Sequence, residues 1–332
     1  MNTTLTISWE ALYQAELSTK ENNVHISAVI EPDGGDIQVV DKYVAESLMR
    51  ENIASRPVNS HKGTFGRLLS IVGADRYPGA AAISTLSALR SGVGLMSVCT
   101  TERSAISLAS NVRECTLFPC HSDEDGFINP TEHELSGILD LLGASDAVLI
   151  GCGLGQSQGA MAVLEAVIEN ANCPIIIDAD GINLVSRCIE LLRKAKTDVT
   201  LTPHPVELSR LAKVDTKTAV SDRYKISRKL AGDYGVTVVS KSCSTLIVSP
   251  EESYVTMFGN NGLSKGGSGD LLAGLIASFT AQGKSPVTAG ILGAYAMGAS
   301  CEEVSKRLSR TGMLASDIIS YLPELFKNFE RA

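Results

Sequence analysis

Apolar and polar positions along the chain alternate between short apolar runs and longer stretches of helical period. Leu68 to Val72 reads as a buried strand, Gly73 to Pro78 as a loop, Gly79 to Ser91 as a small-residue helix and Leu95 to Cys99 as a second strand. That βαβ order predicts a parallel sheet with a right-handed crossover. Strands are predicted again at Asp146–Gly151, Pro174–Asp178, Val199–Thr202, Val236–Ser240, Thr245–Val248 and Tyr254–Met257. Helices are predicted at Ser157–Glu169, Thr216–Tyr234, Pro286–Arg307 and Met313–Phe326, with weaker helical character at Asp41–Asn52. Between Asn111 and Gly143 the pattern loosens, and the acidic run after Pro119 reads as a solvated loop. His121 and His133 flank that run; a metal site there stands against a solvated face. Residues 1–35 carry only a mixed segment, Ile7–Leu17, and a turn, Glu31–Gly35, so they are expected to form an extension ahead of one domain spanning 36–330.

The most informative stretch is Gly259 to Gly283, a glycine-rich polar turn running into Leu271, Leu272, Leu275, Ile276 and Phe279 at helix spacing. A helix that starts there leaves its first N–H groups unpaired and adds the positive end of its dipole, which together attract an anion. Gly266, Gly267 and Gly269 carry no Cβ, so a phosphate can approach the backbone, and Ser268 offers a hydroxyl. Asp270 is out of place beside an anion unless it has a task such as taking a proton from an attacking hydroxyl. The plainer alternative is a helix with a favourable acidic residue in its first turn.

Composition narrows the class. The 332 residues are 44% hydrophobic and 20% charged, which suits a globular chain with a large core. A net charge of −8 argues against nucleic acid or an anionic membrane as partner. The eight cysteines show no C-x-x-C pair, so a reducing compartment, the cytoplasm, is expected. No apolar run approaches the roughly 18 residues that cross a bilayer.

Two further strand ends invite a ligand. Gly151, Gly153 and Gly155 follow a strand, but a dinucleotide fingerprint would need glycine where Gln156 stands, so this is a close-approach loop. His204 sits between Pro203 and Pro205 at the carboxyl end of a strand, where ligand contacts gather in open α/β sheets. Its alternative is a structural histidine bonded to backbone.

In order, HKGTFG, YPGAAA, LIGCGLG, IIDADGIN, LTPHPVEL, KSCST, GGSGD and the closing GMLASDIISYLP resemble the ADP/ATP-dependent (S)-NAD(P)H-hydrate dehydratase family of the ribokinase-like superfamily, over roughly Ser60 to Leu325. The resemblance implies a three-layer α/β/α fold with a mainly parallel central sheet. It also implies a repair enzyme that phosphorylates the ring hydroxyl of hydrated NADH or NADPH (NADHX, NADPHX), after which phosphate leaves. Asp270 would be the base and Gly267, Ser268 and Gly269 the anion hole. The hydrate would lie at Ala81, Gly153, Gly155, His204 and Asp270, and the adenine nucleotide at Lys241, Ser242, Cys243, Ser244, Thr245 and Gly269. ADP, less readily ATP, would be the donor, with Mg2+ of unassigned ligands, and the chain would form a homo-oligomer, a tetramer; the small-residue helix 287–300 allows close helix packing, and which helices would meet between subunits is left open. The segment ahead of the match is too short for the epimerase domain that many relatives carry. Departures are Ser242 for a glycine, Phe258 for a threonine or serine, Cys152 for a proline and Arg113-Glu114 for Pro-Glu. Rival readings are a superfamily kinase of a hydroxymethylpyrimidine or thiazole alcohol, a non-catalytic nucleotide-binding regulator and, weakest, an oxidoreductase.

Overall fold

The computed structural model describes residues 5–8, 26–30, 36–53 and 56–330. The strands are β1 (Leu5–Ser8), β2 (Ile26–Ile30), β3 (Asp36–Val40), β4 (Arg67–Ile71), β5 (Leu95–Thr101), β6 (Thr116–Cys120), β7 (Ala147–Ile150), β8 (Ile175–Ile177), β9 (Val199–Leu201), β10 (Thr237–Ser240), β11 (Thr245–Val248) and β12 (Ser253–Thr256). They form one sheet in the order β1-β2-β3-β12-β11-β10-β9-β8-β7-β4-β5-β6. From β10 to β6 every neighbouring pair is parallel; β11 joins β10 and β12 antiparallel. The segment expected as an extension contributes β1 and β2 beyond β3, while its Glu31–Gly35 turn and most of the Ile7–Leu17 segment lie outside the described residues.

Side chains of successive strand residues divide between two cores, as the two-residue period demands. Leu68, Leu149, Ile176 and Val239 face helices Pro78–Arg90, Ser268–Ala281, Pro286–Leu308 and Ala315–Lys327. Leu69, Val148, Ile150, Ile175, Ile177 and Val238 face helices Glu132–Gly143, Gln158–Asn170, Asp180–Arg187, Pro205–Ala212 and Arg223–Tyr234. The result is the expected three-layer α/β/α arrangement.

Helix Ser268–Ala281 is buried at every position from Leu271 to Ala281, which accounts for its apolar character all round. The small residues of Pro78–Arg90 let it lie directly on this helix: a Cβ at Gly274 would come 2.0 Å from Ser87 Oγ. The small residues of Pro286–Leu308 also face inward, Gly290 on Val239 and Ile247, Gly293 on Ile276, and Gly298 on Phe258. The close helix packing that these small positions allow is thus found within the chain.

Two elements differ from expectation. The predicted helix Thr216–Tyr234 is two, Thr216–Ser221 and Arg223–Tyr234, broken at Asp222 with φ −104°. The loose stretch 111–143 holds β6 and helix Glu132–Gly143; β6 is a half-exposed edge strand containing Pro119, so it lacks a continuous apolar run. The helix announces itself instead by a capping box, Thr131 with Glu134.

From β4 the chain runs outward through β5 and β6, then returns to the other side of β4 as β7. Such a reversal opens a crevice at the carboxyl ends of β4 and β7. There the two strand-end loops meet, the Gly73 N–H donating to the Cys152 carbonyl at 2.8 Å.

Candidate active site

The carboxyl ends of β7, β8, β9 and β10 lie side by side because their ladder hydrogen bonds continue one residue into each loop. The Asp178 N–H donates to the Ile150 carbonyl, Thr202 to Ile177 and Lys241 to Pro203. Cys152, Asp178, Thr202 and Lys241 are thereby gathered on one edge of the sheet, opposite the start of helix Ser268–Ala281. Asp178 is the hub: Lys241 Nζ donates to its Oδ1 at 2.6 Å, Thr202 Oγ1 to the same oxygen at 2.5 Å, and Cys152 Sγ to its Oδ2 at 3.6 Å. Ligand atoms of Cys152, Asp178 and Asp270 lie within 4.8 Å of one another.

The helix start has the form expected of an anion site. Gly267 is its N-cap with φ 92°, a left-handed conformation that favours glycine, and no side chain caps the helix. A Cβ at Gly267 would also strike Ile83 Cδ1 at 2.6 Å. Ser268, Gly269 and Asp270 are partly exposed on this turn. A Cβ at Gly269 would lie 3.4 Å from Lys241 Nζ, so the lysine ammonium sits against the same turn.

Three carboxylates around one ammonium set the protonation states. Burial, then the charge of Asp178, push Asp270 from 3.8 to about 7, against the pull of Lys241. Glu207 is likewise pushed up to about 7 by burial and Asp178. Burial pulls Lys241 down, yet Asp178 and Glu207 together hold it above its ordinary value. At neutral pH Asp270 therefore stands midway between acid and base, the range useful for proton abstraction.

His204 has the structural duty that was set against its functional one. Its Nδ1 accepts from the Val206 and Glu207 N–H groups, at 3.1 and 3.4 Å, and the Glu207 carboxylate returns to the His204 N–H at 2.8 Å. An accepting Nδ1 leaves the proton on Nε2, which lies 3.2 Å from Glu207 Oε1. Burial and Lys241 lower its basicity, so it stays neutral; its half-exposed ring can face a ligand but has no lone pair left for a proton.

The remaining expected residues divide. Ala81 is fully buried, close to Gly73, so its methyl shapes the loop from behind. Gly153 (φ 62°) and Gly155 (φ 83°) need glycine, since a Cβ would strike Tyr77 and Ala80 in one case and the Phe127 ring in the other. Ser242 and Cys243 are exposed, whereas Ser244 and Thr245 are buried in the β10–β11 turn. Phe258 packs edge-on against Tyr295, 5.0 Å between ring centroids, and belongs to the core. His121 pairs with Glu134 on an exposed face, in keeping with the solvated reading.

Four residues of this neighbourhood escaped the sequence reading. Asp178 and Thr202 were seen only as strand ends, and Glu207 only as part of a motif. Arg223, buried in a helix, donates to the Ser244 carbonyl at 2.8 Å and its Oγ at 2.6 Å, and so pins the turn. A carboxylate closing the apolar run Ile175–Ile177 was the available signal for Asp178; nothing local marks Arg223.

Known proteins place the chain. Residues 68–324 match the family described as NAD(P)H-hydrate dehydratase. The chain is 30% identical to the ADP-dependent (S)-NAD(P)H-hydrate dehydratase of Bacillus subtilis, over 86% of this chain and 98% of that protein. A Moorella thermoacetica bifunctional NAD(P)H-hydrate repair enzyme is 29% identical over 85% of this chain and 53% of its own length, so the chain spans about half the length of such relatives. Among solved structures, an Enterococcus faecalis ribokinase-like superfamily protein superposes with a TM-score of 0.74 at 28% identity, covering 89% of this chain and 97% of that one. The Bacillus subtilis ADP/ATP-dependent NAD(P)H-hydrate dehydratase co-crystallised with ATP and Mg2+ gives 0.72 at 28%, covering 86% and 97%.

Proposed function

Since the chain belongs to the NAD(P)H-hydrate dehydratase family, we propose that it regenerates NADH and NADPH from their (S)-hydrates, with ADP as phosphoryl donor. The observation that carries this is Asp270, a carboxyl group near neutrality placed at an uncapped helix start beside the ammonium of Lys241. The hydrate hydroxyl gives its proton to Asp270 as its oxygen attacks the terminal phosphorus of ADP. The bond from that phosphorus to the bridging oxygen breaks and AMP departs. Amides of Gly267–Gly269 and the Lys241 ammonium stabilise the charge on the phosphoryl oxygens. The ring nitrogen's lone pair then expels phosphate from the adjoining carbon, and loss of a proton from the next carbon restores the ring double bond.

Lys241 and the turn through Thr245, braced by Arg223, would carry the nucleotide, and His204 with the Gly153–Gly155 loop the hydrate. Magnesium, a hard ion that takes oxygen ligands, does not fit the cluster of Cys152, Asp178 and Asp270: one member is a thiol, Asp178 already accepts from Lys241 Nζ, Thr202 Oγ1 and Cys152 Sγ, and Asp270 must stay open to take the proton. An ion entering with the nucleotide would be held by its phosphate oxygens and would supply charge neutralisation there. No helix among the described residues is long and apolar enough to cross a membrane; the reading of a cytoplasmic site of action rests on eight cysteines without a C-x-x-C pair.

The test is a product balance by phosphorus NMR. Each dihydronicotinamide restored should appear with one AMP and one inorganic phosphate, and with neither when Asp270 is asparagine. A phosphorylated alcohol that accumulates and persists would instead identify a superfamily kinase.

A further inference from the structure

Cys152, one of the departures from the resembled family's pattern, brings a thiol between two carboxylates. Its Sγ lies 3.6 Å from Asp178 Oδ2, and Sγ and an oxygen of each of Asp178 and Asp270 fall within 4.8 Å of one another. Asp178 can spare this donor, because its other oxygen already accepts from Lys241 Nζ at 2.6 Å and from Thr202 Oγ1 at 2.5 Å. Asp270 has no such reserve: the side chain that offers it a hydrogen bond is Cys152. Burial, then the charges of Asp178 and Asp270, push the thiol well above its ordinary value, so it stays a neutral donor at neutral pH. Its S–H bond can turn about Cβ–Sγ as a hydroxyl does. The other charged groups facing this point are Lys241 at the end of β10 and Glu207 on helix Pro205–Ala212, next to the neutral His204. Asp270 is the one charged residue of helix Ser268–Ala281, and helix Pro78–Arg90 carries its one charge at its far end, on Arg90.

We propose that Cys152 is a positioning residue for the base, its thiol proton pointing to Asp178 while Asp270 is protonated and turning to Asp270 once Asp270 has ionised. The proposal deepens the dehydratase reading and rests on it for the role of Asp270. No proton leaves sulfur and no bond breaks; one hydrogen bond changes direction. Two carboxylates this close repel each other, and a neutral donor that can face either one lets the second ionise more readily. Lys241 and Thr202 keep Asp178 satisfied when the thiol turns away. The ionised Asp270 is then held by one oxygen, and the other is left for the hydroxyl of the hydrate.

The experiment compares wild type with Cys152→Ala and Cys152→Ser, which leave nearly the same gap and differ in whether a donor stands in it. The readout is the pH profile of kcat/KM for hydrated NADH with saturating ADP. Its acid limb, set by Asp270 at about 7 in wild type, should rise by about half to one pH unit in Cys152→Ala, the effect of one weak hydrogen bond to a charged group. Near pH 6 the efficiency should fall about three- to tenfold, and near pH 8.5 by less than about twofold. Cys152→Ser should bring the limb back toward wild type. A limb that stays in place in all three proteins, or moves equally in both variants, would reduce Cys152 to packing and overturn the proposal. A second measurement needs no turnover. The S–H stretching band of Cys152, isolated as the infrared difference between wild type and Cys152→Ser, should shift from about pH 5.5 to about pH 8.5 as Asp270 ionises. It should stay fixed when both proteins also carry Asp270→Asn. A band that does not move would overturn the proposal while leaving any observed dehydratase activity intact. A band that moves in protein without hydrate turnover would uphold the turning thiol and reject the dehydratase.

Discussion

Replacing Asp270 by asparagine should abolish turnover and at the same time stabilise the protein at alkaline pH. The carboxyl group is raised from 3.8 to about 7 by burial and by Asp178. Between those values the unfolded chain has already released this proton while the folded chain keeps it. Stability from this group is therefore full at acid pH and falls as pH rises toward 7, levelling off above it. At about 1.4 kcal/mol per pH unit the cost at pH 8 approaches about 4 kcal/mol as a ceiling, and about 2 kcal/mol is a reasonable expectation after solvent relaxation. Glu207 titrates in the same direction, is present in both proteins and helps raise Asp270, so the difference between them reads Asp270 together with the smaller response of Glu207. Urea unfolding at pH 5, 6.5 and 8 measures it. The variant should already exceed wild type at pH 5, by roughly a third of the full difference, and exceed it by about 2 kcal/mol at pH 8, with turnover lower by a factor on the order of 10² to 10⁴. A variant less stable than wild type at pH 8, or a difference that does not change with pH, would refute the electrostatic account of the site.

Lys241→Met should have the opposite effect on stability, since it leaves Asp178, only 1% exposed, without its 2.6 Å counterion. A loss of about 3 kcal/mol or more is expected by chemical denaturation; a loss under about 1 kcal/mol would mean that the pair is not the hub described. Cys243, exposed in the turn assigned to the nucleotide, should be alkylated well before the buried Cys152, and saturating ADP should slow its reaction severalfold. Unchanged labelling with ADP bound would place the nucleotide elsewhere. Light scattering tests the expected homo-oligomer, a tetramer: a mass several times 35.1 kDa is the expected result, and a single-chain mass would reject it.

The parallel strands of the core were legible because each is a short apolar run bounded by turn residues, as in Ile175–Ile177 before Asp178. The helix start at Gly267 was legible for the same local reason, glycine followed by an apolar period. What was hidden depended on distance along the chain. Asp178, Lys241 and Asp270 become one electrostatic unit only because strand order brings 178, 241 and 270 to one sheet edge. His204 shows the converse: proline on both sides marked a rigid position correctly, but the cap to Val206 and Glu207, which fixes its tautomer, is visible only in three dimensions. The break at Asp222 was missed because both flanking segments carry helical residues and nothing there is glycine or proline.

The central claim is tested most directly by following the reduced-nicotinamide absorbance after mixing the protein with hydrated NADH, magnesium and ADP. Recovery of absorbance that requires the nucleotide, and that disappears with Asp270→Asn, is the predicted result. No recovery with ADP or ATP, from protein shown to be folded, would contradict it.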